Sequence, residues 1–189
     1  MRPARTAARA RRFVASLLAV LAGPGFAQTD AGPAPAGGAL ELPDVLAGIV
    51  HYTRWQDPAD ALRLCVSEKN PGAAAALARR FGEGAAQAGR IEVVSVRIDA
   101  GAAAALLACQ VIYFGETPAA AWRSLLPELA KHPILTIGHG EDFCSYGGLF
   151  CLEPGPSGVR MRANLDSIAH VGLRVNPQLL RLAQRERAR

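Results

Sequence analysis

Apolar residues recur at helical spacing at the start of the domain. Val45, Ile49 and Tyr52 or Thr53 fall on one face of residues 42–55, and Pro43 suits a first turn. Residues 61–66, ALRLCV, alternate as a strand does. Pro71 and Gly72 open a second helix through AAAALARRF, which stops at Gly82 and Gly84. IEVVSV, residues 91–96, predicts a strand, and AGAAAALLA, residues 100–108, a short helix. CQVIYF, residues 109–114, is a strand apolar enough to be buried on both faces. Pro118 starts a longer helix, AAAWRSLLPELAKH, that Pro127 should shorten or bend, and PILTIG, residues 133–138, is the next strand.

Strands alternating with helices indicate parallel βαβ units. After Gly140 the rhythm changes. LFCLEPGPSGVRMRAN predicts two strands joined by the turn-rich EPGPSG. Asn164 is an N-cap for LDSIAHVG, and Asn176-Pro177 an N-cap and first-turn pair for PQLLRLAQRER. The expected fold is α/β: a three-layer sandwich, with a mostly parallel sheet, helices on both faces and a C-terminal antiparallel hairpin.

The N-terminus changes how the composition is read. Arg2, Arg5, Arg9, Arg11 and Arg12 form a basic region without an acid. A ten-residue apolar core, interrupted only by Ser16, follows at 13–22, and small residues precede Gln28. That is the layout of a secretory signal peptide over 1–27, and the run is half the roughly 20 residues a membrane span needs. Residues 28–42, rich in Ala, Gly and Pro, predict a flexible tether, and 43–189 a single domain. The chain carries 21 Lys+Arg against 16 Asp+Glu; without the five signal arginines the count is 16 against 16. The neutral remainder argues against a general nucleic-acid footprint. The basic end, RLAQRERAR, suits the negative pole of a helix.

In an exported chain the four cysteines are expected to be oxidised. EDFCSYGGLFC spaces Cys144 and Cys151 too widely for a C-x-x-C dithiol and without the close pairs of a zinc knuckle. Cys144 and Cys151 bracket a Gly-Gly turn, so a bridge there is local. Cys65 lies in the first strand and Cys109 just before the third, positions that a parallel sheet can bring side by side. The expected pairing is Cys65–Cys109 and Cys144–Cys151.

No G-x-S-x-G, H-E-x-x-H or P-loop occurs in the sequence. His51, His132, His139 and His170 lack metal spacing, so no catalytic residue, metal or cofactor is expected. Glu141 and Asp142 fit the first turn of a short helix better than they fit a phosphate-cradling loop at GHGEDF. Arg160 and Arg162 share a strand face. They are either a solvated face or, with Arg174, a patch for a polar ligand or partner.

Residues 133–183, PILTIGHGEDFCSYGGLFCLEPGPSGVRMRANLDSIAHVGLRVNPQLLRLA, resemble the C-terminal half of the YfiR family of periplasmic regulators. IVHYTRW, LRLCV and LACQVIYF resemble that family's first helix and strands. Gly138-His139 stands where the family has Ser-Asp, and a Phe usual near the end of the second hairpin strand is replaced within MRAN. The resemblance implies a non-catalytic repressor of a membrane-anchored diguanylate cyclase, with bridges that respond to envelope redox state. Its expected partner is the periplasmic domain of that cyclase; a homodimer is left open. No direct membrane insertion and no nucleic acid are expected. The candidate partner-binding residues are Phe143, Arg160, Arg162, Arg174 and Leu179, since family-like residues concentrate in this region. The other classes left open are a small-molecule-binding module, with its pocket at the carboxyl ends of the strands, and an exported enzyme.

Intact-mass analysis of exported protein should give a chain starting at or near Gln28. A mature species that keeps Arg2 to Arg12 would refute the signal-peptide reading.

Overall fold

A computed structural model describes residues 41–57, 60–83, 90–155 and 158–185. The expected signal peptide and all but the last two residues of the expected tether lie outside the described residues. Helix α1, Leu42–His51, carries Pro43 in its first turn and buries Leu46, Ile49 and Val50. It stops four residues before the expected end. Thr53 leaves the helix, is buried, and donates its hydroxyl to the Ile49 carbonyl at 2.7 Å. Thr53–Arg54 then form a short strand, β1. A buried β-branched residue with a strand partner outweighs the weak helical periodicity here.

The chain continues through β2 (Ala61–Ser67), α2 (Pro71–Glu83), β3 (Arg90–Val96), α3 (Ala103–Leu106), β4 (Val111–Tyr113), α4 (Ala119–Leu129) and β5 (Leu135–His139). Helix α3 is shorter than its alanine run predicts, because residues 99–102 form a turn in which the Asp99 carboxylate accepts the Gly101 N–H at 3.0 Å. Strand β4 loses Cys109, whose N–H closes the end of α3 on the Leu106 carbonyl. Pro127 lies inside α4 without ending it. In the last turn its missing N–H leaves only one carbonyl unpaired.

Beyond β5 come α5 (Glu141–Ser145), β6 (Phe150–Gly155), β7 (Gly158–Ala163), α6 (Leu165–His170), β8 (Arg174–Val175) and α7 (Pro177–Arg185). The hairpin strands run into residues whose composition predicts a loop, and Pro154 pairs with Val159. Pairing of β5 with β6 ends at Leu152, so Pro154 has strand β7 on one side only and its missing N–H is tolerated. Asn164 caps α6 as expected, accepting the Ser167 N–H. Strand β8 pairs antiparallel with β1.

The main sheet has six strands in the order β3-β2-β4-β5-β6-β7. All neighbours are parallel except β6 and β7. Alternation along the strands divides the core in two. Leu64, Val66, Val111 and Tyr113 pack with Ile49, Leu77, Ile168 and Leu179, from α1, α2, α6 and α7. Cys65 and Ile112 face the other way, onto Leu106, Trp122, Leu125 and Phe143, from α3, α4 and α5. The three-layer architecture follows from these two cores. The bridges are Cys65–Cys109 and Cys144–Cys151, with Cα separations of 5.9 and 5.7 Å. Both lie in the second core, on one side of the sheet.

The bridges close loops of very different length, 44 and 7 residues. Loop-closure entropy assigns about 4 kcal/mol to the first and about 2.5 kcal/mol to the second. Urea denaturation of the paired Cys→Ala variants should therefore show the larger loss for Cys65 with Cys109. A larger loss for Cys144 with Cys151 would show that native packing, not the unfolded chain, sets the value of these bridges.

Candidate functional site

The segment between β5 and β6 is built around Phe143. Its ring is fully buried on α5, with centroids 5.3 Å from Phe114 and 5.4 Å from Trp122. A Cβ placed on Gly138 would come within 2.5 Å of that ring, and one on Gly148 would collide with it. The two glycines thus leave a slot that the phenyl ring occupies. This accounts for the glycine in β5 and for one of the pair between the cysteines. The Cys144–Cys151 bridge then joins α5 to β6 beside the ring. Two polar contacts finish the anchorage. Thr136, buried, accepts the Leu149 N–H at 3.1 Å, and Asn164 donates its side-chain amide to the Cys144 carbonyl at 2.6 Å.

On the same side of the sheet, Arg162 lies opposite Cys151 and Arg160 opposite Glu153. The shared strand face expected for the two arginines is thus observed, but both are occupied. Arg160 reaches Glu153 at 3.4 Å; Arg162 reaches Glu141 at 3.0 Å and Glu153 at 3.4 Å. The hydrogen bond to Glu141 is the largest cause of a raised Arg162 pKa, which burial opposes. Each such half-exposed pair is worth at most about 1 kcal/mol. The cluster ties α5 to the hairpin.

Next to it an aromatic is held at the surface. Tyr146 closes α5 and is 49% exposed. Its ring stands edge-on to Trp122 at 5.8 Å, and the Arg123 guanidinium lies 5.2 Å from the Trp122 ring and 5.7 Å from the Tyr146 ring. Two hollows lie in this part of the surface, and Tyr146 lines the smaller of them. One, of about 220 Å³, lies between α4 and α6 with Leu126, Pro127, Tyr146, Asp166 and Val171 among its lining. The other, of about 560 Å³, is lined by Cys144, Ser145, Arg162, Asn164, Leu165 and Asp166.

At the carboxyl ends of β4 and β5, Tyr113 O–H and His139 Nε2 share a hydrogen bond of 2.6 Å. Burial raises the Tyr113 pKa, helped by Glu116, and lowers that of His139, where Glu116 opposes it. The two polar ends satisfy each other in this half-buried place, with the direction of the bond set by the His139 tautomer. Among the described residues no group of three His, Cys, Asp or Glu side chains could hold a metal ion.

The structure corrects two of the candidate partner residues. Phe143 is 0% exposed and Leu179 4% exposed, in opposite cores, so neither offers surface in the folded domain. Both belong to apolar patterns that serve packing. Arg174 stands apart from Arg160 and Arg162, in β8, where it lines a hollow of about 280 Å³ with Tyr52, Arg54 and Asn176. Sequence reasoning passed over Tyr146 and Asp166. The available signal was an aromatic placed just before a Gly-Gly turn, which a helix end leaves at the surface.

A family model described as YfiR/HmsC-like matches residues 44–184. The solved structure of a conserved domain protein from Vibrio cholerae is similar, with a TM-score of 0.52 at 11% identity, over 75% of this chain and 58% of that one. The chain therefore spans less than two thirds of that structure's length, and the likeness is one of fold. No described helix is long and apolar enough to cross a membrane.

Gly148→Ala should test the slot. Overpacking of this kind costs about 1–3 kcal/mol, and truncating a buried Phe about 3–5 kcal/mol. Gly148→Ala combined with Phe143→Ala should lose less stability than the two single losses added together, because the small side chain removes the clash. Strict additivity in denaturant titrations would contradict the slot.

Proposed function

Because the chain belongs to the YfiR/HmsC-like family, we propose that it is a non-catalytic periplasmic regulator of a membrane-anchored diguanylate cyclase. In this reading it binds the cyclase's periplasmic part and holds the enzyme inactive, and its release raises cyclic di-GMP. The observation that carries the reading is the family match over 44–184, which takes in every described strand and both bridges. The surface of the hairpin and α5–α6 is the binding face, with Arg160 and Arg162 holding its shape. Two bridges on one side of the sheet give envelope redox state a route to that face, since Cys144–Cys151 joins α5 to the hairpin.

One observation favours a second reading, a small-molecule-binding module. The hollow beside the β1–β8 pair has Arg54 and Arg174 in its lining with Tyr52, a composition suited to an acidic aromatic or planar ligand. Arg54 also donates to the carbonyls of His51 and Thr53, so Arg174 is the cation with more freedom to engage a ligand.

Deleting the gene in a strain that expresses it should raise cellular cyclic di-GMP and surface attachment, and restoring the gene should reverse both. If neither changes, the cyclase reading fails and the small-molecule role takes precedence.

A further inference from the structure

The hollow between α4 and α6 has a composition that nothing in the core requires. Its floor includes Leu126 and Val171, both buried, and Pro127. One wall is Tyr146 and the other includes Asp166. Tyr146 is exposed yet packed, its ring edge-on to Trp122 and beside the Arg123 guanidinium, on a helix that the Cys144–Cys151 bridge and Phe143 anchor. An exposed aromatic already held in place binds with little loss of side-chain freedom. Asp166 is exposed and takes part in no ion pair among the described residues, whereas Glu141, Asp142 and Glu153 nearby are all paired. His170 lines the same hollow with its Nδ1 on the Asp166 backbone carbonyl, which leaves the carboxylate itself uncommitted.

We infer that this hollow is a socket for a Lys or Arg side chain of a partner protein, with the apolar stem against Tyr146 and Pro127 and the cationic head at Asp166. The chemistry is that of a long cation: an apolar run that covers hydrophobic surface and a charged end that seeks a carboxylate or a ring face. A volume of about 220 Å³ takes one such side chain. A free small cation would leave the rest of the surface unused. Asp166 also borders the larger cleft, and Leu165, 45% exposed, stands beside it, so apolar neighbours of the inserted residue find contacts of their own. The occupant is thus a basic residue flanked by apolar ones. On the functional reading above, on which this choice of partner rests, it belongs to the periplasmic part of the cyclase.

A photoreactive benzoylphenylalanine at Leu165, in the full chain in living cells, tests the socket without altering either wall. The expected adduct is with a membrane protein, at a site within a few residues of a Lys or Arg. Asp166→Lys should lower its yield about tenfold, as for a central interface residue, and Tyr146→Ala similarly. Leu107→Ala, at another exposed apolar position, should leave it unchanged. Asp166→Lys should also move cyclic di-GMP toward the deletion level while its melting temperature stays near that of the parent. Absence of an adduct, an adduct to a second copy of this chain, or a yield indifferent to Asp166→Lys overturns the socket. If deletion raises cyclic di-GMP but the adduct ignores both walls, only the socket falls. If deletion changes nothing while the adduct keeps its dependence on Asp166, the socket stands and the cyclase reading falls.

Discussion

The Phe143 ring, seated between Gly138 and Gly148, anchors the segment that joins the fifth strand to the sixth. The slot exists because two positions carry no Cβ, one within β5 and one just before β6. A five-residue helix has too few internal hydrogen bonds to hold itself. Here one buried aromatic and one covalent bridge hold it. With α5 placed, Glu141 reaches Arg162 and Tyr146 reaches Trp122. The surface of this region is thus a consequence of packing beneath it.

That arrangement separates two kinds of residue which look alike in a sequence. Arg160 and Arg162 are cations on a strand face, a pattern that invites a binding role. In the fold their charges are taken up by Glu153 and Glu141, and their effect is to join helix and hairpin. Asp166 and Tyr146 carry no motif, yet they remain exposed, one without an ion pair among the described residues and the other packed edge-on against Trp122. Available chemistry at a surface depends on what neighbours have already consumed, so the residues left over are the ones able to meet a partner.

The strands and long helices were legible because their signals are local. Hydrophobic runs at β2, β3 and β5, prolines at the starts of α1, α2 and α7, and the Asn164 cap state their own structure. The misreadings fell where a distant segment decides. Residues 53–54 are strand only because 174–175 lie beside them. Pro154 stays in a strand because β5 pairing has ended by that point. A window of neighbouring residues contains neither fact.

The amino-acid sequence by itself determined the α/β class and the hairpin at the end, because periodicity and chain order constrain these directly, and it favoured the cysteine pairing that the structure shows. It also carried the family resemblance. Tertiary structure alone decided that Phe143 and Leu179 are core, that both bridges share one side of the sheet, and which charges remain uncommitted. Burial and charge compensation are properties of approach between segments far apart in the chain. Gly138 and Gly148 become meaningful only when the ring that needs their missing side chains arrives between them.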